Sequence, residues 1–395
     1  ASSGGIHSRA PPFVLDELQK VGFDLFSTAT NHAGDYSHGG MEATMRELER
    51  RGVPHAGLGR TLATAREPVY FESPAGRIGL VAATTAYPAS SVAGPQSPDM
   101  QGRPGIAPLK LHPEYSLPPD AIESLKQLSE DLGLESIKTD FQERGLSPPG
   151  DDDTFTFINV GDGPHLEFTS SAECGVSVTP DETHKREIEK RVAEASKQAD
   201  WVVVSIHSHQ GANGSWNDHS IPRCLPEVAR DVIELGADVF MAHGSHLVKG
   251  IEIFDGSPIF YGLGNFVFEN ESITRLPAED YLDRGLEPDG LPSKVYDERT
   301  SNGDERSGFM AYRGFWESFV PICHFEKSSI SSIDVIPIEL GYEQPRSTRG
   351  RPMMAEDDRA AAILSQLESL SEQFGTEIAI DGSTGRIECG HSQAT

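Results

Sequence analysis

A run from Trp201 to Ile206 that is apolar except for Ser205 restricts the fold more than any other feature of this chain. A strand with no polar alternation has to be covered on both faces, which is typical of strands inside a parallel sheet. Apolar residues at helical spacing, among them Ile188, Val192 and Ala195, come shortly before this run. Because helices and strands alternate in the same way elsewhere along the 395 residues, the sequence predicts an α/β fold.

The same periodicities predict the other elements. Helices are expected over 11–22, 41–52, 179–199, 226–235 and 357–370, and strands or hairpins over 23–29, 69–83, 201–206, 238–242, 251–261, 319–325 and around 381–382. Thr179 is predicted to cap the helix that follows it, because Thr179-Pro180-Asp181-Glu182 has the spacing of a capping box.

One large domain is predicted over residues 1–345, and a C-terminal helix and hairpin extend it over 346–395. Residues 88–165 are rich in Pro, Gly and Ser and contain the acidic run Asp151–Asp153, so we interpret them as an insertion or a small subdomain. A partly disordered, solvated loop is the alternative interpretation. The acidic segment 270–306 is predicted to form a loop or lid.

Polar side chains follow three of the predicted strands. Asn31-His32, His207-Ser208-His209 and the segment from His243 to His246 each stand where a strand ends. In open α/β sheets, sites form at the carboxyl ends of the strands, where loops from separate strands converge. Imidazole nitrogens and amide oxygens are ligands for Zn²⁺, Mn²⁺ and Fe. The pattern therefore favours a metal site over coincidence.

The histidines differ in how well they suit ligation. His207 and His209 are two residues apart, so on a continuing strand they point to opposite faces and only His207 is expected to be a ligand. His209 is then a residue next to the ligands or an exposed one. His243 and His246 are three apart, and a turn at Gly244 could bring both rings to one ion.

The two residues of the first cluster, Asn31 and His32, are expected to have different roles. Asn31 is the better ligand, and His32 is a candidate general acid or substrate-orienting group. Asp35 is predicted to cap the next helix, and Asn265 is either a turn residue or a hydrogen-bonding residue of the pocket. The other histidines are interpreted as surface or structural residues: His7, His38, His55, His112, His165, His184, His219, His324 and His391.

The charge balance excludes two classes of partner. The formal net charge of −28 opposes binding to nucleic acid and to anionic membranes, whose phosphates would repel such a surface. No apolar stretch approaches the roughly 18 residues that a membrane span needs. The four cysteines are widely separated, which speaks against a disulfide framework or a structural zinc site. The sequence indicates neither the compartment nor the oligomeric state.

Five segments, taken in order, resemble the poly-γ-glutamate capsule biosynthesis (CapA-type) family. Residues 22–36 are similar to its "GFD…NNHALDYG" signature and 51–59 to its "AGIPHVGAG" segment. Residues 199–207 resemble "ADVVIVSLHWG", 236–250 resemble "GADLVVGHHPHVLQG", and 261–268 resemble "YSLGNFVF". The similar regions span roughly 10–90 and 165–345, and together the motifs are specific.

The resemblance implies a metallophosphatase (calcineurin-like) fold, a four-layer α/β/β/α sandwich with a metal centre at its strand ends. It implies that Asn31, His207 and His243 hold one ion and His246 a second, and that His32 stabilises or protonates the leaving group. His209 and Asn265 are then expected to bind substrate. Two metals a few ångströms apart could activate a bridging water for attack at phosphorus, or polarise an amide carbonyl.

The chain departs from the family pattern at its N-terminal side. A strand with a "GD" motif and an acidic "NLE"-type motif, whose carboxylates would bind the metals, are not found in this sequence, and Thr30 stands where the family usually has Asn. Because the sequence starts at Ala1 without Met, a preceding segment is expected to have been removed or left out; otherwise half of the site has been lost. The expected cofactor is therefore one or two divalent ions of Mn, Fe or Zn.

Three functions are compatible with the sequence. The first is a metal-dependent hydrolase in polyglutamate or other envelope-polymer metabolism, acting on a polymer or on a small phosphorylated or amide substrate. The second is a non-catalytic component with a degraded metal site that binds polymer or partner subunits. The third is an unrelated mononuclear zinc amidase or deacetylase on an α/β scaffold.

Overall fold

The computed structural model describes residues 6–145, 154–158, 166–269, 273–298, 308–326 and 329–389. The α-helices within them are α1 Phe13–Lys20, α2 Ser37–Arg50, α3 Leu62–Arg66, α4 Pro119–Asp131, α5 Leu134–Glu143, α6 Glu182–Ala195, α7 Cys224–Glu234, α8 Ala278–Leu282, α9 Pro292–Glu298 and α10 Asp357–Ser371. The strands before α6 are β1 Phe26–Ser27, β2 His55–Ala56, β3 Leu58–Gly59, β4 Val69–Ser73, β5 Gly76–Thr84, β6 Gly105–Ile106, β7 Leu111–Leu117, β8 Thr154–Phe157, β9 Leu166–Ser170 and β10 Gly175–Pro180. The later strands are β11 Trp201–Ser208, β12 Val239–Gly244, β13 Ile251–Phe254, β14 Ser257–Phe260, β15 Glu317–Glu326, β16 Ser329–Glu339, β17 Met353–Met354, β18 Ala379–Asp381 and β19 Thr384–Glu388.

A six-stranded sheet forms the centre of the molecule, in the order β13-β14-β12-β11-β5-β4. Strand β11 lies between β5 and β12 and runs parallel to both, with His207 opposite Thr84 on one side and His243 on the other. The carboxyl ends of these strands therefore lie at one edge of the sheet. This arrangement confirms the predicted α/β fold class.

The apolar run in β11 is explained by two different layers that cover its two faces. Val202, Val204 and Ile206 are buried among the apolar residues of α6 and α7. Val203 faces the opposite way and packs with residues of a second sheet. Because side chains alternate along a strand, both sets had to be apolar. His207 is four residues after Val203 on β11, so both side chains lie on the same face of the strand. This face turns toward the second sheet.

The second sheet has the order β15-β16-β19-β18, with β17 paired to β16. Phe260 of the central sheet contacts Phe319 of β15, with ring centroids 6.2 Å apart. The buried residues of α10 join the same apolar layer, which includes Ile333 and Val335 of β16. The C-terminal helix and hairpin thus share a core with the rest of the chain. An apolar cavity of about 650 Å³ also lies between the sheets, and no histidine lines it.

A subdomain follows the first part of the central sheet. Strands β10, β7, β9 and β8 form a four-stranded sheet in that order, and α4 packs on β8 and β9. Ile122 and Phe155 are buried there. Residues 93 and 106–109 instead pack in the cores of the main body, so the subdomain begins near residue 111. The acidic run Asp151–Asp153 lies outside the described residues.

Two predicted local details are wrong. The strand expected over 23–29 is reduced to Phe26–Ser27. The cap of α6 is Asp181 rather than Thr179, because the Asp181 carboxylate accepts hydrogen bonds from the backbone N–H groups of Thr183 and His184. Thr179 itself belongs to β10.

The acidic segment predicted as a loop or lid contains α8 and α9 over its described part, 273–298; residues 299–306 lie outside the described residues. Tyr281, Val295 and Tyr296 form a small core there with Ile6. Among the described residues, no helix combines the length and apolar character that crossing a bilayer requires.

Candidate functional site

The parallel register of β11 and β12 brings His207 and His243 side by side. Their Nδ1 atoms are 3.2 Å apart, so one ring donates a hydrogen bond to the other. Gly244 makes this approach possible: its φ is +115°, and a Cβ at this position would lie 2.8 Å from Cε1 of His207. A residue without a side chain is therefore required beside the His207 ring.

Two polar atoms approach the other nitrogen of His207. Its Nε2 lies 3.0 Å from Oδ1 of Asn31 and 3.1 Å from Nε2 of His209. The prediction that His207 and His209 point to opposite faces is wrong. Strand β11 ends at Ser208, so the alternation of side chains stops before His209. Residues 31, 207 and 209 thus meet at one point, which we call the convergence point.

The ring of His209 is fixed from two directions. Its Nδ1 lies 2.7 Å from Oδ1 of Asn217, and the indole of Trp216 stacks on it with centroids 4.8 Å apart and planes 4° from parallel. Because an amide oxygen only accepts hydrogen bonds, Nδ1 of His209 carries the proton and Nε2 offers a lone pair to the convergence point.

The position of His243 is set in a similar way. Its Nε2 lies 2.9 Å from the hydroxyl of Ser205, while its Nδ1 contacts His207. Both ring nitrogens of His243 are therefore engaged, and His243 contacts His207 on the side away from Asn31. In this arrangement His243 orients His207.

Burial makes these imidazoles weak bases. His207 and His209 are 7% and 4% exposed, and His243 is half-buried. Burial lowers the pKa of His207 well below its usual value, and neighbouring histidines lower it further. Burial also lowers the pKa of His209 and of His243 to about 4. All three rings are therefore neutral at pH 7, and each keeps one nitrogen with a lone pair. Because Nε2 of His207 faces the amide oxygen of Asn31, it carries the proton of this ring in the metal-free protein, and that proton would have to leave Nε2 for this atom to bind a metal.

His246 and Asn265 form a second part of the site. His246 has a φ of +61°, and its Nδ1 lies 2.9 Å from Oδ1 of Asn265. The amide of Asn265 donates its other hydrogen bond to the carbonyl of Phe315. The His246 ring lies 5.5 Å from that of His209, centroid to centroid. Asn265 therefore orients His246 and is itself held by the backbone.

His32 lies next to Asn31 in the chain but is paired with an acid. Its Nδ1 is 2.8 Å from Oδ2 of Asp35, which also accepts a hydrogen bond from the backbone N–H of Ser8. The His32 side chain is 42% exposed, and Asp35 is buried. The prediction that Asp35 caps the next helix is wrong, because α2 has no side-chain cap and its N-cap residue is Tyr36. Asp35 orients His32 instead.

The donor set at the convergence point suits a borderline divalent metal in kind. Nε2 of His207 lies 3.0 Å from the amide oxygen of Asn31 and 3.1 Å from Nε2 of His209, a spacing expected of atoms that share an ion at about 2.0–2.1 Å. The set contains no carboxylate. Within the described ranges, no group of three or more His, Cys, Asp or Glu side chains could hold a metal ion. The residues fit one weakly held ion better than two.

Sequence reasoning missed several residues that shape this site. Ser205 stands two residues before His207, and the alternation of a strand could have placed it on the same face. Asp35 stands three residues after His32, a spacing that a turn brings together. Trp216 and Asn217 lie in an irregular segment with no periodic signal, so the sequence offered no means of finding them.

Comparison with known proteins identifies a family. The family described as bacterial capsule synthesis protein PGA_cap matches residues 1–270. The uncharacterised protein y4sH of Sinorhizobium fredii (strain NBRC 101917 / NGR234) is 29% identical over 392 residues, which are 98% of this chain and 81% of that protein. The PGA biosynthesis protein CapA of Bacillus subtilis (strain 168) is 23% identical over 264 residues, which are 67% of this chain and 47% of CapA.

A solved structure was also found, that of a Staphylococcus aureus chain proposed to be a 5′-nucleotidase, in complex with α-ketoglutarate. It is 10% identical and has a TM-score of 0.31; the match covers 92% of this chain and 44% of that one.

Proposed function

This chain belongs to the PGA_cap family of bacterial capsule synthesis proteins, and from that premise we propose that it is a metal-dependent hydrolase acting in the metabolism of poly-γ-glutamate or another envelope polymer. The observation that carries the proposal is the convergence on Nε2 of His207, where Oδ1 of Asn31, from a distant part of the chain, lies at 3.0 Å and Nε2 of His209 at 3.1 Å. PGA biosynthesis is the role named for the CapA relative, and the chemistry is our inference.

Asn31, His207 and His209 would hold the ion. A bound divalent ion would supply a Lewis acid and a water molecule of lowered pKa. The surrounding residues keep the three ligand atoms in place: His243 orients His207, while Asn217 and Trp216 orient His209. Such outer contacts typically affect metal affinity by 10- to 100-fold.

His32 is the proposed proton donor to the leaving group. Its Nδ1 faces the buried carboxylate of Asp35, so the ring is fixed and Nε2 is left for a substrate atom. An imidazole paired with a carboxylate in this way is held in one orientation. The partial exposure of His32 is consistent with contact to a substrate from solvent.

The charge of the molecule restricts the substrate. With a net charge of −28, the surface repels a long polyanion unless cations bridge the two. A small phosphorylated or amide substrate, or a single chain end of the polymer, meets less repulsion. We therefore propose that hydrolysis occurs at a chain end or on a low-molecular-weight intermediate.

A specific observation favours a second candidate function. The convergence point has no carboxylate, and no group of three or more metal-ligating acids, cysteines or histidines occurs in the described part of the chain. A family member with such a site could bind polymer or a partner subunit without catalysis. We retain this non-catalytic role as the alternative to the hydrolase.

Metal titration and activity assays separate the two functions. The metal-free protein is titrated with Mn²⁺ and Zn²⁺ by calorimetry, and hydrolysis is measured on bis(p-nitrophenyl) phosphate and on γ-glutamyl p-nitroanilide. The hydrolase is supported if one ion binds, one substrate is hydrolysed, and His207→Gln loses both properties.

The matched control is His324→Gln, because His324 is exposed on the second sheet and pairs with Asp334. This variant should retain the binding and the activity of the parent protein. A folded parent that binds neither ion and hydrolyses neither substrate would contradict the hydrolase and favour the non-catalytic role.

A further inference from the structure

A lysine is buried beside the histidine cluster without a carboxylate partner among its hydrogen bonds. Lys249 follows His246 by three residues and is 2% exposed. Its Nζ donates hydrogen bonds to the backbone carbonyls of Gln210, at 3.0 Å, and Ser220, at 2.6 Å. An ammonium group is costly to bury, so its retention here calls for a specific explanation.

The two carbonyls belong to opposite ends of one segment. Residues 209–223 connect β11 to α7, and we call them the site loop. Gln210 lies near the beginning of this loop and Ser220 near its end, so one ammonium group holds both ends together. Asp218, also in the loop, adds an attractive charge, while burial lowers the pKa of Lys249 to about 8.

The site loop carries the residues that orient His209. Asn217 contacts Nδ1 of His209 with its side chain and donates its backbone N–H to the His209 carbonyl, at 3.0 Å. Trp216 stacks on the same ring. Any opening of the loop between its two ends would therefore move the groups that fix His209.

The site loop is also held by hydrogen bonds that do not involve Lys249. His219 donates from Nδ1 to the carbonyl of Val248 at 2.7 Å, and the backbone N–H of Ala212 bonds to the hydroxyl of Ser220. Gln210 is also tied by its side chain to the hydroxyl of Thr85. The loss of Lys249 should consequently loosen the loop without unfolding it.

We propose that Lys249 is a positioning residue: by joining the carbonyls of Gln210 and Ser220, it closes the site loop and so holds His209 at the convergence point. Methionine has a similar length and would fill the same space, but it would leave both carbonyls without a donor. The consequence for metal affinity rests on the proposed function, whereas the consequence for the loop does not.

Fluorine NMR of protein labelled with 5-fluorotryptophan tests the proposal without any metal. The chain has three tryptophans, so three resonances are expected, and Trp216→Phe assigns the one from the site loop. In Lys249→Met, the Trp216 resonance should shift and show a larger H₂O/D₂O isotope effect. The resonances of Trp201 and Trp316 should stay in place. An unchanged Trp216 resonance in folded Lys249→Met would overturn the proposal.

Lys185→Met is the matched control. Lys185 is also largely buried, but it bonds to Asp231 on the helical side of the central sheet, so its loss should leave the Trp216 resonance unchanged. Lys249→Gln keeps one amide donor and should give a smaller change than Lys249→Met; it also serves if the methionine variant does not fold. Equal changes in the Lys249 and Lys185 variants would count against a specific role.

Metal titration then addresses the link to function. If the parent protein binds Mn²⁺ or Zn²⁺, Lys249→Met should bind it about tenfold more weakly, as expected for a residue that supports a ligand. Unchanged affinity would contradict the positioning of His209. A parent protein that binds no metal would contradict the proposed function alone, since the NMR result would still stand.

Discussion

At the scale of single residues, the site depends on how closely backbone and imidazole can approach. Gly244 stands next to the His207 ring with a positive φ, in a conformation that residues with side chains adopt only under strain. The histidine is therefore positioned partly by a residue with no functional group. A change at Gly244 should affect both stability and metal binding.

Gly244→Ala is expected to lower the free energy of unfolding by about 2 kcal/mol and to displace His207, because the new Cβ would lie 2.8–3.0 Å from its ring atoms. Urea unfolding and calorimetric metal titration measure the two effects. Gly382→Ala is the control: it has a positive φ of +58° but nothing within 4 Å, so it should share the strain and leave metal binding unchanged. Normal metal affinity in Gly244→Ala would contradict this account.

The buried histidines also predict a pH dependence of the metal-free protein. The folded-state pKa of His209 is lowered to about 4 from 6.5, so the unfolded chain binds more protons below pH 6.5. Stability contributed by this group is therefore present above pH 6.5 and is lost as the pH falls toward 4. The loss for one such group between pH 7 and pH 5 is about 2 kcal/mol.

Urea unfolding at pH 7 and pH 5 checks this expectation. The fall in stability should be smaller by about 2 kcal/mol in His209→Gln than in the parent protein. An identical pH dependence in His209→Gln and the parent would show that His209 is not buried as a neutral ring.

At the scale of elements, strands with a strong pattern were predicted well and their ends were not. The run from Trp201 to Ile206 had to be a central strand, because both of its faces needed apolar cover. The position of His209 could not be predicted, because the sequence does not show that β11 ends at Ser208. One residue of difference decides whether two histidines diverge or meet.

The start of α6 is a second case in which local sequence allowed two solutions. Both Thr179 and Asp181 can cap a helix, and the choice is made by β10, which pairs with β7 through Thr179. Tertiary pairing therefore overrode the capping-box pattern. The residue that remained free of the strand, Asp181, became the cap.

Asp181→Ala should lower the free energy of unfolding by about 1 kcal/mol, the usual cost of losing a helix cap. Thr179→Val should cost less, since valine is well suited to a strand and Thr179 caps nothing. Thermal unfolding followed by circular dichroism measures both. A larger loss in Thr179→Val than in Asp181→Ala would restore the original prediction for the cap.

At the scale of the whole molecule, the sequence indicated a C-terminal extension, but the structure shows a shared core. Helix α10 packs among residues of both sheets, including Phe260 and Val335, which are far from it in the chain. Contacts of this kind cannot be read from periodicity, because periodicity shows that a face is apolar and not what covers it. The division at residue 345 therefore does not separate two cores.

A shared core predicts that a change in α10 destabilises the entire main body. Leu364 is fully buried in the layer between the sheets, so Leu364→Ala should lower the free energy of unfolding by about 3 kcal/mol. Trp201 lies in the central sheet and contacts Phe325 of the second, with centroids 5.1 Å apart. Its fluorescence should therefore change in the same transition as the circular dichroism signal.

Leu128→Ala is the matched control for this substitution, because Leu128 lies on α4 of the subdomain and is 47% exposed. It should change the stability by less than about 0.5 kcal/mol. If Leu364→Ala instead gave two separate transitions, with the fluorescence of Trp201 unaffected in the first, the two sheets would unfold independently. The position of His207 at the convergence point would then depend on the central sheet and not on the second sheet, since β11 belongs to the central one.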